Sequence, residues 1–324
     1  RRPPRSTPLY SSAASDVYKR QVVHCLDLLA LRSALGLIPE NPTSFTGRIY
    51  QRYIRTGFQH ARHFISISEK SRSDLHEFGG VRPQTSDVVY LGLNHAYRAM
   101  PREESRRVLL EEGIVAPQGG LLLHVGGGQW YKNASGVVAL YCAYVSRRVA
   151  AGSAVLPLWL VSPRPGTSLR RLLASVPHQG EVRFLQGVGN EALGALYSIA
   201  GALIFPSLAE GFGWPIVEAM ACGCPVVTTG EAPMSEVGGP HAHYLPRIAP
   251  GQDLSEWAAN GARTLCSLLD RPMAERDRAA RAGVEWTRRF DTDHAIENYL
   301  AIYAKVLAAE QSGVGRFERP SPGR

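Results

Sequence analysis

The sequence has no long hydrophobic run, and its cysteines are few and scattered. Its most apolar windows, residues 121–125 and 155–161, are far shorter than the roughly 20 residues that span a bilayer, and the beginning lacks the apolar core of a signal peptide. None of the five cysteines belongs to a Cys-x-x-Cys pair, so neither a zinc site nor a disulfide framework is predicted. These absences favour a protein of a reducing compartment, which is the cytoplasm.

Positive charge is in excess, but most of the excess lies at the two ends. The net charge is +8, of which residues 1–21 carry +4 and residues 313–324 carry +2, which leaves +2 for the body of the chain. A basic face of the kind that binds nucleic acid is therefore not expected.

Apolar segments alternate with helical patterns, most regularly in the second half, which predicts an α/β fold with parallel sheets. In the second half the predicted strands are 121–125, 155–161, 182–185, 202–206 and 225–228, and the predicted helices are 133–150, 167–175, 190–200, 214–222, 253–269, 272–289 and 292–309. In the first half, strands are predicted from residue 22, at 64–68 and at 88–94, with helices at 47–61 and 69–78. The helix at 47–61 is expected to place Ile49, Tyr53 and Phe58 near one face.

The segment H-V-G-G-G-Q-W-Y-K-N, residues 124–133, follows one of the predicted strands. Its three glycines allow backbone amides to approach an anion, the next helix N-terminus adds partial positive charge, and Lys132 adds a full charge. A dinucleotide motif would need glycine where Tyr131 stands, and the spacing of a P-loop is missing. The alternative interpretation is a tight strand-to-helix turn with a surface lysine.

The segment E-G-F-G-W-P-I-V-E, residues 210–218, holds two carboxylates around a glycine-rich turn. Gly211 and Gly213 free the backbone, and Pro215 suits the first turn of a helix. Glu210 is expected at the loop rim and Glu218 about one turn into the helix. Because carboxylates accept hydrogen bonds from hydroxyl groups, this pattern suits a ligand with two polyol parts and a diphosphate. The alternative is a helix N-terminus with one capping acid and one solvated acid.

Ligands of open α/β sheets bind beyond the carboxyl ends of the strands, so these two loops are expected to face one cleft. Several motifs, in the same order, also resemble the retaining glycosyltransferases of family four, which have the GT-B fold of two Rossmann-like domains. Residues 207–229, S-L-A-E-G-F-G-W-P-I-V-E-A-M-A-C-G-C-P-V-V-T-T, resemble the Glu-x7-Glu signature of that family. The glycine loop and the segments 187–197, 232–239, 64–75 and 88–94 resemble further parts of it. The resemblance covers about residues 22–309.

The resemblance implies transfer of a sugar from a nucleotide-diphosphate sugar with retention of anomeric configuration. Glu210 and Lys132 would be catalytic: Glu210 would contact hydroxyls of the transferred sugar, and Lys132 would neutralise the departing diphosphate. Glu218 would hold the ribose hydroxyls. No metal is then required, and no cofactor is expected. The implied donor-binding residues are Gly126, Gly127, Gly128, Lys132, Val188, Leu193, Glu210, Gly211, Phe212, Gly213 and Glu218, of which Val188 and Leu193 would border the base.

The chain departs from the family pattern at several positions. Gly127 and Ser135 stand where members of the family carry arginine, so the load on the remaining lysine should be higher. The usual His-Asp pair of the first domain is replaced by Leu26-Asp27, with His24 two positions earlier. His24 and Asp27 are the acceptor-side candidates, and His24 is open between a core residue and a substitute for the missing histidine.

Four further side chains have two interpretations each. His241 and His243 are either loop histidines or donor-side contacts. Trp130 and Trp214 either stack on the base or pack beside their own loops.

The predicted fold is α/β, a GT-B arrangement of two Rossmann-like domains with parallel sheets, the first incomplete. The predicted parts are a disordered or artefactual leader (1–21), a partial N-terminal acceptor-side domain (22–98), a linker (99–116), a C-terminal nucleotide-sugar-binding domain (117–289), a helix that crosses back to the first domain (290–309) and a tail (310–324). Because a full Rossmann-like domain needs more residues than 22–98 supply, we expect its first strands to be missing. Such a fragment should bind nucleotide better than it turns over substrate.

The expected function is glycosyl transfer to a glycan, a lipid-linked acceptor or a small molecule. It is expected in the cytoplasm or at the inner face of the membrane, with at most peripheral membrane contact and no nucleic-acid partner. One alternative is a nucleotide-sugar epimerase of GT-B shape, which would release free product without an acceptor. Another is a non-catalytic nucleotide-sugar-binding protein, in which Glu210→Ala would remove no activity.

Overall fold

The computed structural model describes residues 21–314, which form two compact α/β units. The first unit contains residues 21–38, 42–91 and the last helix of the chain, and the second contains residues 39–41 and 92–291. The predicted leader lies outside the described residues except for Gln21, and so does the predicted tail from residue 315 onward.

Strands and helices follow one another along most of the described chain. The strands are β1 (Val22–Cys25), β2 (His63–Ser66), β3 (Thr85–Val88), β4 (Leu121–Val125), β5 (Leu158–Val161), β6 (Val182–Leu185), β7 (Ala200–Phe205), β8 (Val226–Thr229) and β9 (His243–Leu245). The helices are α1 (Leu29–Ala34), α2 (Phe45–Phe58), α3 (Glu69–Phe78), α4 (Arg102–Glu111), α5 (Ala134–Ala150), α6 (Thr167–Leu173), α7 (Asn190–Ile199), α8 (Trp214–Ala221), α9 (Met234–Gly238), α10 (Leu254–Leu269), α11 (Met273–Thr287) and α12 (Thr292–Val314).

The first unit is built on a parallel sheet with the order β1-β2-β3. Phe64 and Leu75 are fully buried in a small core with α1 and α3. Ala295 of α12 packs with Ile65 and Val89 on a second apolar cluster. The prediction of a strand at 88–94 was wrong, because the third strand ends at Val88 and a loop follows.

The predicted apolar face of α2 was also wrong. Ile49 and Tyr53 are 56% and 77% exposed, whereas Phe58 is half-buried and packs edge-to-face on Phe64 with 6.4 Å between ring centroids. At 100° per residue, positions 49 and 53 lie on one side of a helix and position 58 lies far around from them.

The second unit has a six-stranded parallel sheet with the order β6-β5-β4-β7-β8-β9. One face is covered by α5 and α10, where Tyr141, Tyr144 and Trp257 are almost completely buried with the apolar residues of the central strands. A sheet with helices on its faces buries nearly continuous apolar strands, as the L-L-L run of β4 illustrates.

Two parts of the second unit differ from the prediction. Residues 99–116 are not a linker: they contain α4, whose Val108 and Leu109 are buried in this unit. His243 belongs to the short edge strand β9 rather than to a loop. Both elements are short and lack a long apolar pattern, so only their packing partners reveal them.

Candidate functional site

The two loops singled out in the sequence leave neighbouring strands of the second sheet. From β4 the chain runs outward through β5 and β6, then returns to the other side of β4 at β7. At such a reversal the connections diverge and leave a crevice at the carboxyl ends of the two central strands. The glycine loop follows β4 and the Glu-x7-Glu segment follows β7, so the strand order brings them together.

Two hydrogen bonds tie these loops to each other. The Leu208 amide donates to the Tyr131 carbonyl at 2.8 Å, and Asn133 Nδ2 donates to the Pro206 carbonyl at 3.0 Å. Asn133 has a φ of +55°, and its side chain accepts from the Gly136 amide, so it also caps α5. The relative position of the two loops is therefore fixed by the fold.

Lys132 and Glu210 form an ion pair across the two loops. Lys132 Nζ lies 2.8 Å from Glu210 Oε1, and the two side chains are only 13% and 8% exposed. Lys132 Nζ also lies 4.7 Å from the centroid of the Phe205 ring. A cation and a carboxylate thus occupy one partly desolvated place, where charge interactions are stronger than in water.

The glycine loop is closely packed on its own strand and lysine. A Cβ atom at Gly126 would lie 2.9 Å from His124 Nε2 and 3.1 Å from Lys132 Cβ, so a larger residue would displace the loop. Gly128 has a φ of +82°, which favours glycine. Packing within the protein at Gly126 and the backbone conformation at Gly128 therefore account for these two glycines.

Helix α8 begins at the Glu-x7-Glu turn. Gly213 is its N-cap with a φ of +103°, and Pro215 lies in its first turn. Phe212 is buried, with its ring edge-to-face on Phe290 at 5.7 Å between centroids. Glu218, one turn further on, is only 6% exposed.

Glu218 accepts a hydrogen bond from Tyr197 of α7. The Tyr197 hydroxyl donates to Glu218 Oε2 at 2.9 Å, and its ring is fully buried. Burial raises the pKa of Glu218, while the hydrogen bond from Tyr197 and the charge of Lys132 oppose the rise. Since the Glu210 side chain is only 8% exposed as well, neither acid is the solvated one of the alternative interpretation.

His124 lies beneath the glycine loop and is 1% exposed. Its Nδ1 donates to the Ile204 carbonyl at 2.9 Å. Burial lowers the pKa of His124 to about 4, and nearby Lys132 acts in the same direction. The ring is therefore neutral at pH 7 and adds no charge to the site.

Two cavities flank the glycine loop, with volumes of about 510 and 500 Å³. The first lies at the ends of β4, β5 and β6 and is lined by Gly126, Gly127, Gln129, Lys132, Val188 and Pro215 among others. The second is lined by Gly128, Trp130, Ser135 and Arg164 among others, together with part of the first set. Volumes of this size are typical of small-ligand pockets.

The remaining second-unit candidates are placed by packing. Leu193 is buried within α7, and it is not one of the described residues that line the two cavities. The His241 ring packs on Trp286 at 5.5 Å between centroids. Trp130 contacts Tyr131 edge-on and lines the second cavity, whereas Trp214 is half-buried at the start of α8.

His24 and Asp27 belong to the first unit and are described within it. His24 is exposed on β1, so the core interpretation was wrong; its Nε2 lies 2.6 Å from the Tyr303 hydroxyl and its ring stacks on Tyr299. Burial lowers the pKa of His24 somewhat. Asp27 is exposed and accepts from the Leu29 amide at 3.0 Å.

The sequence analysis did not identify Arg247, which forms a hydrogen bond with the loop that carries Glu210. Its Nε donates to the Leu208 carbonyl at 2.9 Å, and its Nη2 lies 2.6 Å from Glu40 Oε1. The roles of Tyr197 and His124 were missed as well, although both lie inside quoted motifs. A histidine at the end of an apolar strand was a usable signal, whereas no local pattern identifies Arg247.

The described residues contain no group of three or more His, Cys, Asp or Glu side chains that could hold a metal ion. Within the same part of the chain, no helix is both long enough and apolar enough to cross a membrane.

Solved structures define the class of fold. The chain superposes on the Anabaena protein HepE, solved in complex with UDP and glucose, with a TM-score of 0.65 and 19% identity over 88% of this chain and 71% of HepE. Together with the two parallel-sheet units, this likeness shows the GT-B fold.

Sequence comparison is more specific. Residues 166–243 match the family described as Glycosyl transferases group 1, so the chain carries a group 1 glycosyltransferase domain. It is 33% identical to an MMP alpha-(1->4)-mannosyltransferase of Mycolicibacterium hassiacum, over 75% of this chain and 54% of that protein. It is 30% identical to a D-inositol 3-phosphate glycosyltransferase of Mycolicibacterium smegmatis, over 48% of this chain and 33% of that protein. The chain thus spans about half the length of these relatives, or less.

Proposed function

We propose that the chain contains the donor-binding domain of a retaining glycosyltransferase of family four that uses a nucleotide-diphosphate sugar. The observation that carries the proposal is the convergence of Lys132 and Glu210 at the reversal of strand order, 2.8 Å apart beside a cavity of about 510 Å³. The group 1 domain and the nucleotide seen in HepE support it.

The donor lies between the two loops in this proposal. Its diphosphate takes the place beside Lys132, where the cation neutralises the negative charge that develops as the nucleoside diphosphate departs. The amides of Phe212 and Gly213 contact the sugar and phosphate. We propose that this arrangement needs no metal ion, because Lys132 provides the cation.

The two acids bind different parts of the donor. Glu210 accepts hydrogen bonds from hydroxyls of the transferred sugar near the anomeric carbon, and Glu218 accepts from the ribose hydroxyls. The base then lies in the first cavity beside Val188. The proposed outcome of the transfer is retention of the anomeric configuration of the sugar.

The acceptor is proposed to be a glycan, a lipid-linked glycan or a small polyol. The names of the two curated relatives, a mannosyltransferase and an inositol-phosphate glycosyltransferase, support a hydroxyl-bearing acceptor. All five cysteines are unpaired, which supports a reducing compartment such as the cytoplasm.

A thermal-shift panel of UDP-, GDP- and ADP-sugars tests the donor proposal. A ligand at 100 times its dissociation constant stabilises the folded state by about 2.7 kcal/mol. Lys132→Ala and Glu218→Ala should lose the shift, while Lys305→Ala and Glu256→Ala, which change exposed residues, should keep it. A panel in which no nucleotide sugar stabilises the wild-type chain would refute the proposal.

Product analysis separates transfer from the two alternatives. With donor and a screen of polyol acceptors, the transferase should form an α- or β-glycoside with the same configuration as the donor. Free isomerised nucleotide sugar without acceptor would identify an epimerase. Binding without any product, so that Glu210→Ala has no activity to remove, would identify a binding protein.

A further inference from the structure

Tyr197 and Glu218 form a buried pair between α7 and α8. The phenol donates to Glu218 Oε2 at 2.9 Å, and the two side chains are 0% and 6% exposed. We propose that Tyr197 is a positioning residue of the nucleotide site: its hydroxyl orients the Glu218 carboxylate so that it can accept from both ribose hydroxyls. This inference rests on the proposed function.

Tyr197 is suited to orient the carboxylate because its own ring is held firmly. Its ring contacts Tyr97 edge-on at 6.1 Å between centroids, and the helix that carries it packs beside α8. A carboxylate offers about four lone-pair positions, and the phenol takes one on Oε2. The remaining lone-pair positions, including those on Oε1, then keep a fixed orientation, which suits the two hydroxyls of a rigid diol.

Tyr197 is also suited to keep Glu218 ionised. Burial raises the pKa of Glu218, and the strongest opposing influence is the hydrogen bond from Tyr197, followed by the charge of Lys132. Tyr97 and Cys222 are the other titratable neighbours in this place. Burial raises the pKa of both, to about 12 for Cys222, so both are neutral at pH 7. Lys132 is meanwhile paired with Glu210, so the phenol is the closest stabilising partner of the carboxylate.

The test is the affinity of Tyr197→Phe for a nucleoside diphosphate, measured by calorimetry from pH 8.5 to pH 5.5. The probe is whichever of UDP, GDP and ADP binds the wild-type chain most tightly. At pH 8.5 we expect Tyr197→Phe to bind about threefold to tenfold more weakly, the effect of one hydrogen bond.

The ratio of the two dissociation constants, variant to wild type, should then widen as the pH falls. The variant loses the influence that lowers the pKa of Glu218, so its carboxylate is protonated at a higher pH than that of the wild type. Between the two pKa values the wild type still binds through a carboxylate and the variant does not. Each additional unit of pKa allows the ratio to widen by up to about tenfold.

Two control variants separate this role from a general loss of structure. Tyr141→Phe also removes a buried hydroxyl of the second unit, one that bonds the Leu156 and Glu181 backbones. It should lower stability without changing the pH dependence of affinity. In Glu218→Gln, where no carboxylate remains, the further change Tyr197→Phe should have much less effect on affinity than it has in the wild type.

The possible results divide clearly. A ratio that stays constant from pH 8.5 to pH 5.5, or equal effects of Tyr197→Phe with and without Glu218, would overturn the positioning role while leaving the donor proposal intact. Failure of the wild-type chain to bind UDP, GDP or ADP would overturn the donor proposal and this inference together. A widening ratio that disappears in Glu218→Gln supports the inference.

Discussion

Lys132 Nζ and Glu210 Oε1 lie 2.8 Å apart although the two residues are 78 positions apart in the chain. The pair joins the loop after β4 to the loop after β7, and both partners are largely buried. In the proposed reaction the two residues have different partners, the diphosphate for Lys132 and the sugar for Glu210. The ion pair therefore fixes the position of both side chains. When a diphosphate binds, Lys132 must interact with both the diphosphate and Glu210.

Separate substitutions of this pair should have different effects on nucleoside diphosphate binding. Lys132→Met removes the cation and should weaken binding by about tenfold to a hundredfold, the worth of a hydrogen bond to a charged group. Glu210→Gln releases the lysine, so binding should be unchanged or tighter, while sugar transfer is lost. Calorimetry and a turnover assay check the two variants side by side. Equal weakening by both would argue against the separate roles.

His124 predicts a pH dependence of stability. Its folded pKa of about 4 lies below the ordinary value of 6.5, so the stability tied to its neutral form is present above pH 6.5 and is lost as the pH falls toward 4. Between pH 7.5 and pH 5.0 the resulting loss in the free energy of unfolding is about 2 kcal/mol. Urea unfolding of wild type and His124→Phe at both pH values measures it.

His124→Phe should be less stable than the wild type at pH 7.5, because the Ile204 carbonyl loses its donor, but should lose less stability on acidification. The control His178→Gln changes an exposed histidine and should lose as much stability on acidification as the wild type. If His124→Phe loses as much stability as the wild type on acidification, the burial of the neutral His124 ring does not cause the pH dependence of stability.

Arg247 predicts a local effect on the Glu-x7-Glu loop. Arg247→Met removes the donor to the Leu208 carbonyl and the partner of Glu40, and loss of such a bond costs about 1.5–3 kcal/mol. Amide hydrogen exchange at residues 208–213 should therefore become about tenfold to a hundredfold faster, with little change elsewhere in the sheet. Arg278→Met, an exposed substitution on α11, is the matched control. Unchanged exchange at 208–213 would exclude a supporting role.

The exposed side of α2 predicts an asymmetry within one helix. Ile49→Ser and Tyr53→Ser replace side chains that are more than half exposed, so each should change the free energy of unfolding by no more than about 0.5 kcal/mol. Phe58→Ala removes a contact with Phe64 and should cost about 2 kcal/mol or more. Chemical denaturation of the three variants gives the comparison, and comparable costs for all three would contradict the packing described.

Local chemistry made much of the second unit predictable. The strands β4 and β6 were predicted at their observed bounds, β4 because a strand buried on both faces is a short continuous apolar segment. The start of α8 was indicated by Gly213 and Pro215, whose backbone preferences are intrinsic to the residues. The predictions of a strand at 88–94 and of an apolar face on α2 were wrong, because an apolar residue in the sequence does not specify the residue against which it packs.

The sequence by itself determined the alternation of strands and helices, the two loops with unusual glycine and acid content, and the residues that those loops carry. Only the tertiary structure decided that Lys132 meets Glu210, that Tyr197 holds Glu218 and that Arg247 supports the loop between them. The physical reason is range. Backbone preferences and hydrophobic periodicity act within a few residues, whereas these contacts depend on the packing of the whole unit; the Lys132–Glu210 pair, for example, needs β7 to return beside β4.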